Sequence, residues 1–115
     1  MPPASLGFAL ALVLVGVGSA AADDAAMIEA GRQLALEVCA RCHVAAAGQP
    51  PPVLRPPAPS FADIAAQPDV TEASLRVFLG RPHGEQRRLS TMPPFALSPS
   101  QADAVLAYLL SLKRQ

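Results

Sequence analysis

The sequence has no tryptophan, only four phenylalanines and one tyrosine, two cysteines, two histidines, and no net charge, with nine basic side chains against nine acidic ones. Each shortage excludes something. Balanced charge gives no broad field to draw the chain onto nucleic acid or another strongly charged partner. Two cysteines and two histidines would all be consumed by one four-ligand zinc site, and one of the histidines, His83, lies far downstream of the other three groups. No stretch alternates apolar and polar residues as a strand does, no repeat is visible, and no nucleophile with a paired base or phosphate-binding loop is present. After residue 22 the aromatics are Phe61, Phe78, Phe95 and Tyr108 alone. A small domain so poor in large core-filling groups is marginal without a staple, a metal or a cofactor.

Long hydrophobic runs are also scarce. Leu6 to Val17 is unbroken Leu, Val, Ala, Gly and Phe, followed by Ser19, Ala20, Ala21 and Ala22, and then by the charges of Asp23 and Asp24. The run falls short of the ~20 apolar residues that span a bilayer. It has the layout of a secretory signal peptide with cleavage expected after Ala22, although no Lys or Arg precedes it. An uncleaved anchor is the alternative. The expected organisation is a signal peptide over 1–22 and one domain over 23–115, exported to the periplasm, with no stable membrane insertion after cleavage.

What is present is helical. From Ala25 to Val38, Ile28, Gly31, Leu34, Ala35 and Val38 recur at spacings of three and four and predict one buried face, with Glu29, Arg32, Gln33 and Glu37 opposite. Asp23 and Asp24 are expected just ahead of this helix, where acids suit its dipole. From Gln49 to Ser60 half of the residues are proline, which excludes helix and central strand and predicts a rigid wall wrapped over something. A short turn is expected over Phe61 to Ala66. Thr71 is a candidate N-cap for a helix to Leu79 with Leu75, Phe78 and Leu79 inward and Gly80 ending it. Arg81 to Leu97 reads as a long loop. Ser98, Pro99 and Gln101 are a cap, a first helical position and a capping-box partner, opening a helix whose buried stripe is Ala102, Val105, Leu106, Leu109 and Leu112. The expected class is all-α.

Cys39, Ala40, Arg41, Cys42 and His43 form the C-x-x-C-H arrangement that attaches a c-type haem. Each thiol adds across one of two adjacent vinyl groups, and the two intervening residues let the chain span them. His43 is thereby brought under the iron as proximal ligand. A thioredoxin-type C-x-x-C would need a βαβ context that is missing, and a plain disulfide would not need the histidine.

The opposite face of the iron has three candidate ligands. Met27 begins the helix that ends at Cys39 and would have to reach around the macrocycle, so it is set aside. His83 sits between Pro82 and Gly84, a surface-turn context. Met92, 49 residues after His43 and followed by Pro93 and Pro94, is the expected distal ligand. A thioether there favours reduced iron and raises the potential.

Taken together, Gly31, Cys39, Cys42, His43, the proline-rich middle, Met92 before proline, and a closing helix with Tyr108 resemble a small mono-haem class I cytochrome c over almost all of residues 25–115. The resemblance implies three or four helices packed around one covalent haem c and its iron, with the N- and C-terminal helices crossing. It also implies close approach at Gly31, packing of Tyr108 against it, and a proline carbonyl, from Pro52 or Pro59, accepting a hydrogen bond from His43. The expected function is single-electron transfer between redox proteins, a donor dehydrogenase and an acceptor oxidase or cytochrome. The alternative is a haem subunit of a periplasmic dehydrogenase or oxidase complex. Arg81, Arg87 and Arg88 beside Met92 are a candidate docking patch for an acidic partner or, alternatively, a solvated loop.

Overall fold

The first helix is longer at its start than its periodicity predicts and changes winding at its end. In the computed structural model, which describes residue 1, residues 18–80 and residues 96–115, α1 spans Ser19–Leu34. Asp23 and Asp24 therefore lie inside the helix rather than ahead of it, and its first turn carries no acid. The chain continues as a single π-helical turn over Ala35–Cys39, closed by the Ala40 N–H donating to the Ala35 carbonyl at 3.0 Å. A π turn holds an extra residue, so the position that follows Ala35 on the buried face is Cys39. Cys39 is 7% exposed and Val38, expected inward from a regular 3.6-residue period, is 37% exposed.

The remaining helices each open on a side-chain cap, at Thr71 and Ser98 as expected and at Ser60 over a segment expected only as a short turn. Ser60 accepts from the Asp63 N–H and opens α2, Phe61–Ala66. Thr71 and Ser74 form a capping box that opens α3, Glu72–Leu79. Ser98 and Gln101 form another at the head of α4, Pro99–Lys113, with Pro99 in the first turn. On α3, Leu75 and Leu79 are buried whereas Phe78, expected inward, is 37% exposed. Leu75 and Leu79 are one turn apart on a single face, and Phe78 falls about 100° to the side of Leu79. The stripe of α4 consists of Ala104, Val105, Leu106, Tyr108 and Leu109, with Ala102 and Leu112 only half-buried at its margins. Among the described residues there is no strand, and the class is all-α.

Helix α1 makes its most extensive helix contacts with α4. They approach closely at Gly31. A Cβ there would overlap the Ala104 carbonyl and come to 2.9 Å from the Tyr108 Cβ. Helix α3 is tied to α4 by Arg76, which pairs with Glu72 on its own helix and with Asp103. The far end of α4 is held by the Lys113 ammonium donating to the Gln67 and Val70 carbonyls between α2 and α3. The shared core gathers Ala35, Cys39, Ala45, Phe61, Leu75, Leu79, Val105, Leu106, Tyr108 and Leu109.

Candidate functional site

The end of the π turn places the two cysteines and the histidine on one turn of the chain. The Cys39 carbonyl accepts from both the Cys42 N–H, at 3.1 Å, and the His43 N–H, at 2.9 Å. Both thiols are free, Cys39 buried and Cys42 half-buried. Burial, with a smaller contribution from neighbouring Cys42, pushes the Cys39 thiol up to about 11, so at neutral pH it stays protonated.

The proline-rich segment runs back alongside this stretch, as a wall should. The Arg41 carbonyl accepts from Val53 and Leu54, the Cys42 carbonyl from Ala58, and the Val44 carbonyl from Phe61. His43 and Ala58 meet in an isolated parallel bridge. Proline carbonyls remain acceptors even though proline donates nothing, and here they are used. His43 Nδ1 donates to the Pro59 carbonyl at 2.6 Å. Of the two prolines left open by the sequence, Pro59 is the partner. The Pro52 carbonyl accepts instead from Arg55.

A carbonyl can only accept, so Nδ1 carries a proton, and in the neutral imidazole Nε2 then carries the lone pair. The residue is 8% exposed, and among the described residues Nε2 has no hydrogen-bond partner. Buried polar atoms are seldom left so. The ring is gripped from the side by Phe61, edge-on at 5.6 Å between centroids and 65° between planes. Phe61 in turn packs on Tyr108 at 6.1 Å. The Tyr108 hydroxyl donates to the Ala45 carbonyl at 2.7 Å, and burial raises its phenol above the usual range so that it remains a donor. Loss of this buried bond in Tyr108→Phe leaves the Ala45 carbonyl unpaired and should cost about 1–3 kcal/mol in denaturant unfolding.

Phe61 and Gln49 are site residues that the sequence did not reveal. Phe61 carried a signal, being one of few aromatics and lying two residues after Pro59. Gln49 carried none. Met27 is exposed at the middle of α1. Met92, His83, Arg81, Arg87 and Arg88 lie outside the described residues.

A family model described as cytochrome c matches residues 28–113. The chain belongs to the cytochrome c family. It is also similar to cytochrome c-552 of Bradyrhizobium diazoefficiens, 38% identical over 104 residues that cover 90% of this chain and 92% of that protein. No solved structure matches the chain. Members of the cytochrome c family bind covalent haem c with its iron and carry electrons rather than catalyse reactions, and this chain is such a carrier. The residues present fit that group. The Nε2 of a buried imidazole has no hydrogen-bond partner among the described residues, two free thiols lie on the turn before it, and Val38 and Val44 beside the motif, with Val53 and Leu54 on the proline-rich segment, stay exposed, leaving apolar surface for a large apolar cofactor to cover. Among the described residues no helix is long and apolar enough to cross a membrane.

Proposed function

We propose that the chain is an exported, periplasmic carrier of single electrons through a haem bound by Cys39 and Cys42 and ligated by His43 and Met92. The observation that carries this reading is the buried His43 ring, with Nδ1 donating to the Pro59 carbonyl and Nε2 without a hydrogen-bond partner among the described residues. When bound, the haem supplies the redox chemistry, its iron taking up and giving back one electron. The chain's own part is orientation and tuning. The Pro59 carbonyl fixes the tautomer and rotation of the imidazole and raises its basicity, which favours ferric iron. Met92 opposes this, since a thioether favours ferrous iron. Phe61 and the proline-rich wall exclude water from the histidine side. The double attachment through Cys39 and Cys42 prevents loss of the cofactor through either oxidation state.

Export fits the local structure. Residues 18–27 are all exposed, so cleavage after Ala22 removes the first residues of α1 without removing a core contact. The partners under this reading are a donor dehydrogenase and an acceptor oxidase or cytochrome, with Arg81, Arg87 and Arg88 steering an acidic surface toward the haem edge. Met92→Ala tests the ligand set. Thioether ligation gives ferric haem a weak charge-transfer band at the red end of the visible spectrum, and this variant should lose the band while keeping its covalent haem. Persistence of the band would exclude Met92.

A further inference from the structure

The carboxamide of Gln49 bonds to more of the backbone around the attachment motif than any other described side chain. Its Oε1 accepts from the Ala45 N–H at 2.6 Å and the Ala46 N–H at 3.1 Å. Its Nε2 donates to the His43 carbonyl at 2.9 Å, with longer approaches to the carbonyls of Pro50, at 3.3 Å, and Ala40, at 3.4 Å. The chain is turned to allow this. Gly48 adopts φ +77°, a left-handed conformation that favours glycine, and Gln49 thereby folds back under the stretch that precedes it.

We infer that Gln49 is a positioning residue for the proximal histidine, locking residues 43–46 so that the imidazole meets Pro59 in one orientation and thereby helping to set the reduction potential. This rests on the reading of His43 as an iron ligand. The chain of contacts is continuous. Gln49 holds the His43 carbonyl and the Ala45 N–H, and Tyr108 holds the Ala45 carbonyl. Between them the Val44 carbonyl accepts from the Phe61 N–H at 2.9 Å. That bond places Phe61 against the ring and Pro59, two residues earlier, at Nδ1. A side chain that satisfies two donors and a carbonyl within four residues leaves that stretch few alternative conformations. Without it, three buried or half-buried backbone groups seek other partners, and the short Nδ1 bond to Pro59 is the one they can disturb. A weaker bond makes the imidazole a poorer electron donor and destabilises ferric iron, so the potential rises.

Gln49→Leu keeps much of the side chain's volume and removes every hydrogen bond. In the haem-loaded protein it should shift the reduction equilibrium toward ferrous iron by roughly tenfold, equivalent to ~59 mV for a one-electron couple. A role in packing alone would move the unfolding midpoint and leave the potential where it was, and an unchanged potential in a haem-loaded variant overturns the inference. The wild-type haem protein gives a second measurement that needs no variant. Amide hydrogen exchange should find the Ala46 N–H strongly protected, although among the described residues no backbone acceptor serves it, and rapid exchange there would also overturn the inference. Absence of covalent haem from the wild-type protein is a different outcome, which refutes the ligand reading on which the inference stands.

Discussion

Replacing Cys39 and Cys42 together by serine should give a chain that retains no covalent haem after export and is largely unfolded, with no cooperative thermal transition by circular dichroism. The reasoning starts from the core. Among the described residues its buried aromatics are Phe61 and Tyr108 alone, and Ala35, Cys39 and Ala45 beside them fill little space. Val53 is 71% exposed and Val77 53%, so apolar side chains that a small domain needs inside are outside. Burial of apolar surface contributes roughly 25 cal/mol per Å², while ordering the backbone costs about 1–2 kcal/mol per residue. A chain this size with so few large groups enclosed does not balance those terms unaided. Binding of a cofactor to the folded state alone shifts the balance, and covalent attachment makes the shift permanent. Serine preserves size and shape at both positions, so an effect this large would trace to the lost attachment. A cooperatively melting apo-protein would show that the polypeptide supplies its own core.

The second large effect belongs to Gly31→Ala. In an exposed helix interior this change gains about 1 kcal/mol through propensity. Here the added Cβ would run into the Ala104 backbone carbonyl, with the Tyr108 Cβ also at 2.9 Å. Overpacking of a core costs typically 1–3 kcal/mol, and this obstacle is helix backbone, which cannot rotate aside as a side chain can. The clash wins. The variant should be destabilised by about 3 kcal/mol or more, at or above the top of that range, in denaturant unfolding of the haem protein. Because α1 carries the attachment turn at its end and α4 carries Tyr108, separating the helices should also loosen the Ala45 and Phe61 contacts around His43. Unchanged or increased stability would mean that the helices do not cross at this residue.

Much of the fold is legible in the sequence because its signals are local. Ser98 with Pro99 and Gln101 specifies the start of α4 through bonds within four residues, and Thr71 does the same for α3. The attachment motif is equally local, and its three residues fall on one turn. The burial of Gly31 was legible in the helical period, but the close approach there only through family resemblance, since nothing nearby in sequence announces Ala104. Val38 and Phe78 were misplaced for physical reasons. A period of 3.6 cannot foresee a π turn at Ala35–Cys39, and Phe78 stands at the margin of a face that Leu75 and Leu79 already fill. The choice of Pro59 over Pro52 lay in how the proline-rich segment runs back beside the attachment stretch, through backbone bonds from Val53, Leu54 and Ala58 to the Arg41 and Cys42 carbonyls, which no local signal specifies. Gln49 was invisible because a single glutamine between Gly48 and Pro50 has no period and no motif. Its role arises only once the Gly48 turn brings it back on Ala45 and His43.

The central claim is that this chain holds its haem through two thioethers on the turn that ends at His43. Mass spectrometry of a proteolytic fragment spanning Cys39 to His43 tests it most directly, on protein exported by a bacterium competent in haem attachment. The account predicts a fragment heavier by one haem, with neither thiol open to alkylation. A fragment of unmodified mass with both thiols alkylated would contradict it.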